Sequence, residues 1–155
     1  MWLWILMILV NSIWIWGIIQ QLVFRKSFGN NPVSDLGFII IAVLMLVLTY
    51  GIFSVKLITE VRNDGIYYKF TIVQFKFRKI NIEDINSYEI RKYNSFKEFG
   101  GYGIKAGRRG HMAYNIAGNI GIQFGLKNGD KVLIGTQLPN GFKKAVDRLT
   151  GKTQT

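Results

Sequence analysis

Cysteine is absent from this chain of 155 residues, and histidine occurs once, as His111. The lack of cysteine excludes disulfides, thiolate metal sites and a cysteine nucleophile, although it does not fix the compartment. A lone histidine has no second histidine or cysteine with which to complete a metal site, so we interpret His111 as a surface residue. The GxSxG motif of a nucleophile elbow does not occur either. We therefore expect no catalysis, no metal and no cofactor.

Acidic residues are also scarce, with nine Asp and Glu against twenty Lys and Arg. Glu83 and Asp84 are adjacent, so on a strand they would point to opposite faces and could not form a facing acid–base pair. We expect them to shape a turn before Ile85. Residues 101–107 read GYGIKAG, but the third glycine is one place late for GxGxxG and no strand–loop–helix context surrounds it. We exclude a nucleotide site there.

Charge is nearly missing from the first 55 residues, which contain only Arg25, Lys26 and Asp35 as charged side chains. The uncharged runs 1–24 and 36–55 are long enough for helices of ~30 Å, the thickness of the hydrocarbon core of a bilayer. We predict transmembrane helices over about 2–24 and 36–55, joined by a loop over 25–35. A cleavable signal peptide would need a basic start and a small-residue cleavage site, and the chain has neither. Residues 1–56 are thus predicted to be a two-helix membrane anchor.

Such a short loop requires an antiparallel hairpin, so both ends of the chain are expected on the same side of the membrane. The loop offers two cations, and the residues after the second span offer Lys56, Arg62 and Lys69. This small excess places the C-terminal part in the cytoplasm and predicts a multi-pass protein of the cell membrane. Asn11 falls near the middle of the first span. It could form a dimer or partner contact, but we favour a hydrogen bond to the second helix.

From Leu57 onward the continuous apolar pattern gives way to alternation typical of strands. Turn signals occur at residues 63–65 (Asn-Asp-Gly) and 128–129 (Asn-Gly). Phe75 and Phe77 alternate with cations, and the register slips before Ile80, which suggests a bulge or turn. Pro139 opens a helical pattern of apolar residues at i, i+3, i+4 and i+7. We predict a mainly β domain over 57–151, a curved antiparallel sheet or partly open barrel capped by a C-terminal helix, followed by a tail, 152–155.

The order of elements resembles a bacterial pleckstrin-homology-like domain, abbreviated PH-like. The resemblance is carried by the segments ITEVRNDGIYYKF, RKINIEDINSYEIRKYN, GGYGIK and AYNIAGNIGIQFGLKNGDKVLIGTQ, with the closing helix. Together with the anchor, the chain looks like small bacterial two-helix membrane proteins of unknown function. The resemblance implies a seven-strand curved sheet capped by a helix and used as a binding module, not as an enzyme. The loop at 63–65 is short and acidic, unlike the long basic loop of phosphoinositide-binding relatives, which puts an inositol phosphate pocket in doubt.

Basic residues dominate the second part, which holds 18 of the 20 Lys and Arg. Such charge is compatible with anionic lipid, with nucleic acid or with a plain solvated surface. Within the irregular segment 95–110, cations alternate with aromatic residues, as in a loop that contacts headgroups. The competing interpretation is that the aromatics pack on the sheet while the charges are solvated. The candidate lipid or partner contacts are Lys97, Tyr102, Lys105, Arg108 and Arg109.

The function expected from these patterns is that of an integral membrane protein that presents a non-catalytic binding or scaffolding module at the membrane surface. We expect a membrane protein as its partner and do not expect nucleic acid. The alternative is a peripheral contact between the basic–aromatic loop and anionic lipid. A weaker alternative, an unrecognised membrane enzyme, predicts convergent polar side chains in a pocket.

Overall fold

A computed structural model describes residues 2–29, 33–107 and 110–151, with the side chains of 2–4 left out. The chain divides into two compact units, Met1–Val55 and Lys56–Thr155. The first consists of α1 (Trp2–Ile18), which continues into a π-helical turn (Ile19–Val23), and α2 (Asp35–Ser54). The stretches Ile5–Val23 and Asp35–Ser54 are long and apolar enough to cross a membrane. Most of their large apolar side chains are exposed.

The two helices pack as an antiparallel hairpin. Phe38 is buried between them, 5.4 Å from the ring of Trp14. Gly17 allows this approach, because a Cβ there would lie 2.6 Å from the Phe38 ring. Nearer the other end, the Asn11 amide donates a hydrogen bond of 3.1 Å to the hydroxyl of Thr49. The predicted bond from Asn11 to the second helix is confirmed.

The second unit begins with a three-stranded antiparallel sheet, whose strands follow one another in chain order. Its first hairpin turns at residues 63–64, as the sequence predicts. The alternation of Phe75 and Phe77 is not a strand, because both residues lie in the connection to the third strand. The strands are β1 (Leu57–Arg62), β2 (Gly65–Phe70) and β3 (Arg78–Asn81).

A 3₁₀ turn (Ile82–Asp84) contains the adjacent carboxylates at 83 and 84, as expected, and leads into a second sheet of five strands. The short helix α3 (Ser95–Phe99) stands where the sequence predicts irregular structure. The C-terminal helix α4 (Pro139–Leu149) confirms the predicted amphipathic helix. The strands are β4 (Ile85–Lys92), β5 (Gly103–Ala106), β6 (His111–Asn115), β7 (Ile120–Leu126) and β8 (Lys131–Gly135).

The strand order β4-β7-β8-β6-β5 corrects two predictions. The sheets are not antiparallel throughout, because β6 and β8 pair in parallel. The connection from β6 to β7 skips one strand position, and β8 fills that gap as the antiparallel partner of β7. Since β6 and β7 run in opposite directions, β8 must run parallel to β6. The described strands number eight instead of seven, and they form two separate sheets that do not close into a barrel.

The main core lies between the two sheets and α4. The rings of Tyr68 on β2 and Tyr114 on β6 are 4.6 Å apart, and Arg78 on β3 donates a hydrogen bond of 2.8 Å to the Tyr114 hydroxyl. Val146 on α4 is fully buried, and Phe142 packs on Phe124 of β7. The first sheet and α4 therefore cover one face of the five-stranded sheet. The other face, called the outer face below, is partly covered by α3.

Candidate functional site

The strand register brings distant residues together on the outer face. Leu133 on β8 pairs with Gln123 on β7 and with Ala113 on β6, and Ala113 pairs with Lys105 on β5. Directly paired residues share a face of the sheet, so these four lie in one row. In the neighbouring row, Lys131 pairs with His111. No sequence segment contains this grouping, since it depends on β8 lying between β6 and β7.

Helix α3 is held over part of the outer face by specific local contacts. The Asn94 side chain accepts hydrogen bonds from the backbone N–H of Phe96 and of Lys97, which caps the helix. The fully buried Asn115 on β6 donates to the Ser95 hydroxyl at 3.1 Å and accepts from the N–H of Gly103 at 3.1 Å. One buried amide thus ties β6 to the start of α3 and to β5.

An open cleft of about 450 Å³ lies between α3 and the strands. Phe99 and Leu133 contribute apolar surface to its wall, and a small cluster of Tyr93, Ala113 and Leu133 lies beneath Phe99. The polar side chains that line the cleft are Arg91, Lys97, Glu98, His111, Gln123 and Lys131.

Among the described residues that line the cleft, cations outnumber carboxylates, and only one of these cations forms an ion pair. Arg91 forms an ion pair of 2.7 Å with Glu98, whose carboxylate also accepts from the N–H of Asn94. Burial works to raise the pKa of Glu98, but the bonds from Asn94 and Arg91 together lower it. Lys97 and Lys131 are exposed and form no ion pair within the described part of the chain. The cleft therefore offers two ammonium groups to an external anion.

The residues predicted from the sequence divide between the cleft and its surroundings. Lys97 lines the cleft, whereas Tyr102 packs edge-on against Phe96 at 5.6 Å and both rings remain largely exposed. Lys105 shares the outer face without lining the cleft. Arg108 and Arg109 lie outside the described residues.

The aromatic residues of the segment differ in how they pack. Phe99 packs on the sheet next to Tyr93, with ring centroids 6.3 Å apart, while Phe96 and Tyr102 do not pack on it in this way. Sequence reasoning missed Arg91 and Lys131. In the sequence, each of them is only a polar residue in a strand of alternating polarity. Many solvated residues occupy such positions.

The side chains that line the cleft determine what it can bind. Among the residues that the structure describes, no three His, Asp or Glu side chains are grouped to hold a metal ion. Glu98, the only carboxylate among the described residues that line the cleft, is engaged by Arg91. The arrangement suits the binding of an anion.

The fold consists of two long apolar helices followed by a mainly β unit that ends in a C-terminal helix. The sequence profile of a family of unknown function (DUF6141) matches residues 2–150, and the chain belongs to this family. Neither the curated proteins nor the solved structures yield a match.

Proposed function

We propose that this protein is an integral membrane protein of the bacterial cell membrane, anchored by α1 and α2, that presents a non-catalytic binding module on the cytoplasmic side. Two helices of sufficient length and apolarity support the anchor. Only Val55 and Lys56 separate α2 from β1, so the module stays near the membrane. A reporter that is active only outside the cytoplasm, fused after Thr155, should be silent; activity would reverse the proposed orientation.

The module is proposed to be PH-like. A three-stranded sheet packs on a larger sheet, and the amphipathic helix α4 closes the core between them, which supports this assignment. The parallel pairing of β6 and β8 is a departure from the expected antiparallel arrangement. A solved structure of the chain, superposed on PH-like domains, would test the assignment, and a different path of the eight strands would reject it.

The ligand of the module is proposed to be an acidic segment of a protein partner, bound in the cleft beside α3. The observation that carries this proposal is that Lys97 and Lys131 line the cleft without an ion pair in the described residues. Phe99 and Leu133 offer apolar surface in the same cleft, which suits the side chains of a peptide around its carboxylates. Cations that bind an external anion in this way provide specificity and a faster association rate.

Photo-crosslinking from inside the cleft tests this proposal. The full chain would carry p-benzoylphenylalanine at position 123 and be irradiated in native membranes. We expect a crosslinked protein whose attached peptide, identified by mass spectrometry, is rich in Asp and Glu. The double variant Lys97→Glu/Lys131→Glu should lose the product. The matched double variant Lys127→Glu/Lys144→Glu, at exposed lysines outside the cleft, should keep it.

The crosslinking experiment also separates the alternatives. A phospholipid adduct in place of a protein would favour the headgroup-binding module over the protein-binding one. A protein adduct that survives the cleft variant but not the control variant would show that the cleft is not the contact surface. Absence of any adduct, with the variant present in the membrane at the normal level, would reject both ligands.

A further inference from the structure

The connection between β2 and β3, residues 71–77, displays apolar side chains to the surroundings. Ile72, Val73 and Phe75 are 63%, 58% and 96% exposed. Three large apolar residues so close together in one loop have no role in the core and none in the cleft. An exposed apolar patch of this kind indicates a contact surface.

Hydrogen bonds hold the loop in a defined conformation. The N–H of Gln74 donates to the carbonyl of Phe70 at 3.0 Å, and the Gln74 side chain accepts from the N–H of Phe70 at 3.1 Å. Between them Ile72 has a φ of +71°, in the left-handed region that β-branched residues avoid. A backbone strain of this sort persists only where its surroundings hold it, and it occurs often at functional positions.

Hydrogen bonds tie this loop to the residue that follows the membrane-anchor unit. The N–H of Thr71 donates to the carbonyl of Lys56 at 2.8 Å, and the N–H of Lys56 donates to the Thr71 hydroxyl at 2.7 Å. Helix α2 ends at Ser54, two residues before Lys56. The base of the loop is thus held by hydrogen bonds to Lys56, the residue that joins Val55 and α2 to the β unit along the chain.

Cations lie beside the apolar tip in the chain and at its base. Lys56 and Lys76 are exposed, and the Lys69 ammonium lies 4.5 Å from the centre of the Phe77 ring at the base of the loop. No acidic residue occurs between positions 65 and 82. An apolar tip with cations beside it matches the boundary between acyl chains and anionic headgroups.

We infer that residues 71–77 insert into the interface of the bilayer that holds α1 and α2, with Ile72, Val73 and Phe75 among the upper acyl chains. The basic residues around them contact anionic headgroups. The inference rests on the proposed membrane anchor. The inserted loop would give the β unit an attachment to the membrane besides its covalent link through Val55 and Lys56.

Because the chain contains no cysteine, a single introduced cysteine can be labelled specifically, and the depth of the label in the membrane can be measured. A nitroxide on Val73→Cys in the full chain, reconstituted into nanodiscs of phosphatidylcholine and phosphatidylglycerol, would report collisions with oxygen, which partitions into lipid, and with a water-soluble nickel complex. We expect oxygen collisions to exceed nickel collisions several-fold. Leu46→Cys in α2 serves as the lipid reference, and Asn128→Cys in the exposed β7–β8 turn serves as the aqueous reference.

A second substitution identifies the side chain responsible. Phe75→Asp, added to the Val73 label, should shift the label toward the aqueous reference. Leu138→Asp, at a comparably exposed leucine before α4, should leave the label unchanged. A Val73 label as aqueous as that at 128, with the label at 46 in lipid, would overturn the inference while the anchor stands.

Other outcomes are equally distinct. An aqueous label at 46 would overturn the membrane anchor and the inference with it. A Val73 label shielded from both reagents would mean that protein, either a partner or a second copy, covers the loop, which rejects the lipid contact.

Discussion

The hydroxyl of Tyr88 on β4 donates a hydrogen bond of 2.7 Å to the buried carboxylate of Asp147 on α4. The same carboxylate pairs with Lys143 at 3.0 Å, one helical turn earlier. Burial is the largest cause of the raised pKa of Tyr88, and the neighbouring carboxylate raises it further. The phenol therefore stays neutral and able to donate. This bond joins the last helix of the chain to the edge strand of the five-stranded sheet.

Replacing Tyr88 by Phe should lower the free energy of unfolding by about 1–2 kcal/mol, because a hydrogen bond to a charged group is lost while Lys143 still pairs with Asp147. Urea unfolding of the full chain in detergent micelles, followed by circular dichroism, measures this. Tyr102→Phe is the matched control, since the Tyr102 hydroxyl is exposed and its bond to Gly118 is 3.4 Å long. Equal effects of the two substitutions would contradict the role assigned to the Tyr88 bond.

Asn115→Ala should lower the free energy of unfolding by more, about 2–3 kcal/mol, because it removes the partner of the buried Ser95 hydroxyl and of the partly buried Gly103 N–H. Since these bonds hold α3 against β5 and β6, the substitution should also weaken crosslinking from position 123. The control is Asn86→Ala, at an exposed position on β4. A stable Asn115→Ala protein with unchanged crosslinking would show that the amide does not organise the cleft.

Acid stability should depend on Asp64. The Lys79 ammonium at 2.7 Å and the Tyr67 hydroxyl at 2.7 Å lower the pKa of Asp64 from 3.8 to about 2. A carboxyl with a depressed pKa stabilises the fold above its unfolded pKa, and this contribution is lost as pH falls from 3.8 to about 2. Asp64→Asn should therefore lower Tm at neutral pH and make Tm fall less steeply over that interval.

The cause of the Asp64 shift can be tested separately. Lys79→Met removes the main partner, so the pKa of Asp64 should rise toward its ordinary value and the acid dependence of Tm should weaken in the same direction. Thermal unfolding between pH 7 and pH 2, with both single variants and the double variant, provides the comparison. Additive effects of the two substitutions on the acid dependence would mean that Asp64 and Lys79 are not coupled.

The features predicted correctly from the sequence are those set by neighbours along the chain. The apolar helices, the hairpin turn at 128–129 and the helix that starts at Pro139 each depend on local composition or periodicity. The position of β8 between β6 and β7 depends on pairing across the sheet, so the parallel pair could not be derived from any one segment. Arg91 and Lys131 line one cleft only because of that order, and the cleft was missed for the same reason.

The connection at 71–77 shows the opposite failure, in which a local pattern misleads. Phe75 and Phe77 alternate with cations as in a half-buried strand, yet Phe75 is 96% exposed. The bonds of Gln74 to Phe70 and of Thr71 to Lys56 close the loop instead. Alternation identifies a possible apolar face, but it does not say whether sheet or solvent lies against it.

The strain at Ile72 gives a prediction in which stability and membrane contact change in opposite directions. A left-handed backbone costs a non-glycine residue roughly 1–2 kcal/mol, and replacing that residue by glycine removes this cost. Part of the resulting stabilisation is lost again, because glycine gives the unfolded chain more conformational entropy. Ile72→Gly should therefore raise the free energy of unfolding in micelles by about 1 kcal/mol or less. In nanodiscs the same substitution should move the nitroxide at position 73 toward water, because an inserting side chain is gone.

The control is Val73→Gly, at the neighbouring exposed position, which has no positive φ. This substitution should not raise the free energy of unfolding. An increase equal to that of Ile72→Gly would contradict backbone strain as the cause.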